Sequence, residues 1–134
     1  MNPNQLSRII IRGFKSIREC DLELGNLNVI IGANGAGKSN LISFFRLIQQ
    51  MLDQKLQVFS AWMGGPDSML HFGRKVTPEL SFELCFGENR YSGVLRATQD
   101  NRLNFFNEKL AIRDRWQDAS GHFESHFNVL ANIG

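Results

Sequence analysis

The sequence lacks the features that would place it in several large classes of protein. No apolar run approaches the roughly 20 residues that a membrane-spanning helix needs, and no repeat or low-complexity segment occurs. The polar start Met1-Asn2-Pro3-Asn4-Gln5 and the short run Ile9-Ile10-Ile11 do not make a secretory signal. Only two cysteines are present, Cys20 and Cys85, and they match no paired metal-ligand spacing. They read as reduced thiols. The formal charge of +2 is too small to argue for nucleic acid by itself. With 43% hydrophobic and 21% charged residues in 134, wholesale disorder is excluded. The expectation is a soluble, cytoplasmic globular chain with no membrane association.

Hydrophobic periodicity divides the chain into three parts. Ser7 to Phe14 carries a β-branched run and reads as a strand. Ile17 to Leu24 alternates, with Cys20, Leu22 and Leu24 on one face and Glu19, Asp21 and Glu23 on the other, as a half-buried strand does. After the Gly25-Asn26 turn signal, Asn28-Val29-Ile30-Ile31 is a short apolar strand. The period then becomes helical through Leu41, Phe44, Phe45, Ile48, Met51 and Leu52, which predicts a helix from about Gly37 with a core-facing stripe. A second helical piece follows through Leu56, Phe59 and Trp62, and Gly64-Gly65-Pro66-Asp67 ends it. From Glu79 the pattern is β again. The predicted strands are Glu79 to Phe86, Tyr91 to Thr98, Leu103 to Phe106 and Lys109 to Arg113, forming an antiparallel meander. Gln117 to His126 is polar and reads as loop.

Between the apolar strand and the first helix stands Gly32-Ala33-Asn34-Gly35-Ala36-Gly37-Lys38-Ser39, which fits G-x-x-x-x-G-K-[ST] without deviation. Gly32, Gly35 and Gly37 let the backbone approach an anion closely. The loop amides then converge as an anion nest, reinforced by the positive end of the following helix. Lys38 is expected to reach the β- and γ-phosphates, and the Ser39 hydroxyl to coordinate Mg2+. This Walker A pattern, flanked by strand and helix, points to ATP with Mg2+.

The lettering around the loop, Asn34-Gly35-Ala36-Gly37-Lys38-Ser39-Asn40-Leu41, together with Ile11-Arg12-Gly13-Phe14-Lys15-Ser16-Ile17, resembles ABC-type ATPases. These include the RecF-like and SMC-like proteins and a bacterial group of AAA-annotated ATPases. Leu70-His71-Phe72-Gly73-Arg74-Lys75, Leu80-Ser81-Phe82-Glu83-Leu84 and Gly121-His122-Phe123-Glu124-Ser125 also look like that bacterial group. The resemblance implies an α/β fold, the N-terminal lobe of an ABC-type P-loop NTPase. A mixed or antiparallel β-subdomain would pack on the phosphate loop and its helix, and the core sheet would be incomplete. It takes residues 1–134 as the N-terminal part of such a domain, with loop and helix about 28–52 and meander about 79–115. It would place Arg12 near the phosphates from the strand side, Asn34 near the γ-phosphate, and Gly35, Ala36, Gly37 and Asn40 about the nucleotide.

The catalytic half of that family is not found in the sequence: no Walker B strand ending in Asp-Glu, no signature motif and no switch histidine. No catalytic residue is assigned, and the expectation is an N-terminal portion of a longer ATPase that binds nucleotide but hydrolyses it negligibly alone. The resemblance also implies a homodimer of the full-length protein, and DNA or an effector protein as partner, in repair, DNA maintenance or anti-phage defence. Arg8, Arg12, Lys15 and Arg18 form a basic cluster suited to phosphates or balanced by nearby acids. His122 and His126, with Glu124 between them, lack a third metal ligand and read as loop histidines. Two other readings stay open: a non-enzymatic nucleotide-binding or protein-interaction module, and a P-loop kinase, which the β-meander disfavours.

Overall fold

The computed structural model describes residues 5–24, 36–125 and 127. Its elements are β1 (Arg8–Phe14), β2 (Ile17–Glu23), α1 (Ala36–Leu52), α2 (Leu56–Trp62), α3 (Pro66–Met69), β3 (Glu79–Phe86), β4 (Asn89–Ala97), β5 (Leu103–Ile112) and β6 (Arg115–Ala119). The six strands form one sheet in the order β2-β1-β3-β4-β5-β6. Every pairing is antiparallel, so among the described residues the sheet is antiparallel and not mixed. The predicted strand Asn28–Ile31 lies outside the described residues.

Alternation decides which face each strand buries. On β1, Ile9 and Ile11 are fully buried while Arg8 and Arg12 are exposed. Leu80, Phe82 and Leu84 of β3 and Tyr91 and Leu95 of β4 continue the same inner face. The helices cover it: Phe44, Leu47, Ile48 and Met51 of α1 and Leu56 and Phe59 of α2 belong to the same apolar cluster. Phe44 is the hinge pin of this packing, with its ring 5.8 Å from Phe14 in an edge-on contact and 6.3 Å from Phe82. Phe82 meets Tyr91 at 5.4 Å. It has room because β4 offers Gly93 opposite it, where a Cβ would stand 2.8 Å from the Phe82 ring.

Three expectations are corrected. Leu103–Ile112 is one strand, not two. A β-bulge explains the break in pattern: Val94 faces Asn107 while Leu95 faces Phe105, leaving Phe106 as the extra residue. The inward set therefore switches from Leu103 and Phe105 to Glu108 and Leu110. Second, the segment Gln117–Ala119 is not loop but the end of β6, paired with Glu108 to Leu110. Third, α2 ends before Gly64-Gly65-Pro66-Asp67 as expected, but Pro66 and Asp67 are not only a stop, since they open the short α3.

Candidate functional site

Of the phosphate-loop residues, Gly32, Ala33, Asn34 and Gly35 lie outside the described residues. The helix α1 begins inside the motif, at Ala36, so Gly37, Lys38 and Ser39 occupy its first turn and Asn40 follows them. First-turn N–H groups have no intrahelical acceptor and carry the positive end of the helix dipole. No acidic side chain stands in that turn, so no carboxylate of α1 repels an anion there or takes up its N–H groups. Ser39 is exposed and Asn40 is half-buried.

Asn40 has a protein partner. Its amide Nδ2 donates to the hydroxyl Oγ of Ser16, in the turn joining β1 to β2. That turn is itself held from the other side. The Lys15 N–H donates to the Met69 carbonyl at 2.8 Å, and the His71 N–H to the Gly13 carbonyl at 3.0 Å. The His71 ring places Nδ1 2.6 Å from the Lys15 carbonyl oxygen, and because a carbonyl only accepts, Nδ1 carries the proton. Lys15 adopts a left-handed φ of 49°, and burial lowers its ammonium pKa. Gly13 (φ 77°) is required here, since a Cβ would sit 2.8 Å from the Glu79 carbonyl oxygen.

Arg12 projects from the outer face of β1. It makes a 3.4 Å ion pair with Glu19, which faces it directly on β2. It also lines a cleft of about 530 Å3 with Arg18, His71, Phe72 and Val76 among others. Other arginines on that face are likewise matched by carboxylates. Arg8 pairs with Asp21 at 2.5 Å, Arg96 with Glu79 at 2.8 Å and Arg90 with Glu83 at 3.7 Å. The Arg8 guanidinium holds the Asp21 carboxyl below the usual carboxylate range. The outer face is thus a field of cross-strand ion pairs, and in the basic cluster of the N-terminal strands Arg8 and Arg12 already have acids beside them.

The other candidates separate. His122 is joined to Phe105 by backbone bonds, with the Phe105 N–H donating to the His122 carbonyl at 2.7 Å. His126 lies outside the described residues. No group of three or more His, Cys, Asp or Glu side chains with metal-binding geometry occurs among the described residues. Cys20 and Cys85 are free and half-buried, and burial together with nearby Glu83 pushes the Cys85 thiol pKa up, away from nucleophilic reactivity.

Sequence reasoning missed the part played by Glu124 and Ser125. The segment Gly121 to Ser125 straps the α1–α2 junction to the sheet. Glu124 accepts from the backbone of α2, and the Gln57 side-chain amide donates to the carbonyls of Leu103 (2.5 Å) and Phe123 (2.6 Å). Ser125 and Tyr91 both donate to Oε2 of Glu108, a carboxylate fully buried beneath the strap. No local pattern signalled it, because Glu108 faces inward only through the bulge that shifts the inner face of β5.

Several known proteins are similar to this chain over part of its length or most of it. The DNA replication and repair protein RecF of Aliivibrio fischeri is 36% identical over 87 residues, 63% of this chain and 24% of that protein. RecF of Magnetococcus marinus is 47% identical over 45 residues, covering 33% of this chain and 12% of its own length. An uncharacterized protein of Methanocaldococcus jannaschii is 27% identical over 135 residues, 90% of this chain and 59% of that protein. The chain thus spans about a quarter of the RecF relative from Aliivibrio fischeri and about three-fifths of the archaeal one. No described helix is long and apolar enough to cross a membrane. Residues 5–115 match the AAA ATPase domain family, and the chain belongs to that family, whose fold is that of the P-loop NTPases.

Proposed function

We propose that this chain binds ATP with Mg2+ through the loop Gly32–Ser39, as the N-terminal lobe of an ABC-type ATPase of the RecF- and SMC-like branch. The observation that carries the reading is the opening of α1 inside the motif, which puts Lys38 and Ser39 in a first turn free of acidic side chains. Lys38 supplies a mobile charge to the β- and γ-phosphates, and Ser39 an oxygen ligand to the cation. Asn34, Gly35, Ala36 and Gly37 shape the nest about the phosphates, and Arg12 approaches from the strand side.

Hydrolysis is a separate matter. Orienting the attacking water and neutralising the developing charge need an acidic residue and a signature loop that this sequence does not carry. The chain alone therefore retains nucleotide and turns it over negligibly. The whole protein would use ATP-driven dimerisation to act on DNA or an effector protein, in repair, DNA maintenance or defence. The ion pairs of Arg8 and Arg12 leave Lys15 and Arg18 as the N-terminal cations with no ion pair among the described residues, and these would carry any phosphate-backbone contact.

Displacement of a fluorescent ATP analogue tests the reading. Unlabelled ATP should compete, removal of Mg2+ should weaken binding, and Lys38→Ala should abolish it. Retention of the analogue by the Lys38→Ala protein at wild-type strength would overturn the assignment. Absence of any nucleotide binding would favour the alternative, a non-enzymatic interaction module.

A further inference from the structure

Asn40 and Phe44 lie four residues apart and so share one face of α1, one turn above the other. Both engage the same turn of the β1–β2 hairpin. Phe44 packs edge-on against Phe14 at 5.8 Å, with both rings fully buried. Asn40 donates its amide hydrogen to Ser16 Oγ. One contact is apolar and deep, the other polar and half-exposed, and together they fix the rotation of α1 about its axis at its second and third turns. Each residue advances a helix by about 100°, so a small rotation there would swing Lys38 and Ser39 away from any fixed direction.

The hairpin turn is fit to serve as the anchor. The Lys15 N–H is bonded to the Met69 carbonyl at 2.8 Å, and the His71 ring to the Lys15 carbonyl at 2.6 Å. Phe14 also forms a bridge to Leu70. Ser16 is therefore mounted on backbone tied down by the neighbouring segment Met69 to His71, whereas the first turn of a helix is the part most prone to fray. The bond to Ser16 Oγ uses one of the two Nδ2 hydrogens of Asn40 and turns its side chain toward the hairpin.

We propose that Asn40 and Ser16 are positioning residues, which hold the first turn of α1, and with it Lys38 and Ser39, in the orientation that receives phosphate and Mg2+. This inference rests on the ATP reading above. The brace supplies in advance order that the ligand would otherwise have to impose on binding. It also explains why the letters Phe14-Lys15-Ser16 and Lys38-Ser39-Asn40, far apart in sequence, belong to one device.

The test is a double-mutant cycle on the whole chain, with two readouts. Ser16→Ala and Asn40→Ala should each weaken Mg·ATP binding about fivefold, the value of one ordinary hydrogen bond. The double variant should be no weaker than either single one, and Ser16→Thr, which keeps the hydroxyl, should bind as wild type. In the absence of nucleotide, amide hydrogen exchange of residues 40–43, whose N–H groups are the first to bond back within α1, should quicken in both alanine variants, with the melting temperature little changed. A loss confined to Asn40→Ala, or multiplicative losses in the double variant, would overturn the brace and assign Asn40 to direct nucleotide contact. Unchanged exchange in both variants would also overturn it. If the wild-type chain binds no ATP, the functional reading fails by itself, and the exchange data still decide whether the pair orders α1.

Discussion

Glu124 accepts a hydrogen bond from the backbone N–H of Leu56 at 2.7 Å, although 68 residues separate them. Its other oxygen takes the next N–H, that of Gln57, at 3.1 Å. The residue at the N-cap position of α2, Lys55, has no side-chain capping bond, so a distant carboxylate does the work of a local cap. Its negative charge also suits the positive end of the helix. Replacing Glu124 by Ala should cost about 1–2 kcal/mol, within the range for lost caps, and Glu124→Gln should cost less. Chemical denaturation of the two variants checks the order; an equal loss from both would rule out the charge contribution.

Tyr91 is the chain's single tyrosine and is fully buried, donating to Glu108 at 2.5 Å. Burial, the Glu108 charge and the hydrogen bond to Glu108 raise its pKa far above the usual value of 10.0. The unfolded chain ionises at that usual value while the folded one resists. The contribution to stability is therefore complete below pH 10 and is lost progressively as pH rises beyond it. Near-ultraviolet absorbance of phenolate, which here reports one residue, should appear only as the protein unfolds. A reversible phenolate signal near pH 10 in the folded state would contradict the burial. Tyr91→Phe should flatten the alkaline decline and, by leaving Glu108 short of a donor, cost about 1–3 kcal/mol at neutral pH.

Gly93 serves space and not conformation. A Cβ there would lie 2.8 Å from two carbons of the Phe82 ring, which is wedged between Phe44 and Tyr91. Gly93→Ala should destabilise by about 1–3 kcal/mol through overpacking. Coupling it with Phe82→Leu should recover part of the loss relative to Phe82→Leu alone. Additive losses in the pair would mean that the ring is not the obstacle.

Local periodicity made most elements readable: β1, β2, α1 and β3 emerge within a residue or two of their expected limits. β5 did not, because its bulge at Phe106 moves the inward face by one residue, and a pattern reader sees two broken pieces. The cap at Glu124 and the buried Glu108–Tyr91–Ser125 group were invisible for another reason. Their partners meet only after the sheet has formed, at sequence separations that no local pattern encodes. The candidate site divides the same way. The phosphate loop is a contiguous motif and could be read letter by letter, whereas the link from Asn40 to Ser16 depends on the packing of Phe44 on Phe14.

Nucleotide binding is the central claim, and calorimetric titration of the chain with ATP and Mg2+ tests it most directly. The loop as an anion nest, Lys38 on the phosphates and Ser39 on the cation predict saturable, Mg2+-dependent binding of micromolar or weaker affinity. Ser39→Ala should lose the Mg2+ dependence, and Lys38→Ala should lose the heat signal altogether. No heat from the wild-type chain, or equal heat from wild type and Lys38→Ala, would contradict the account.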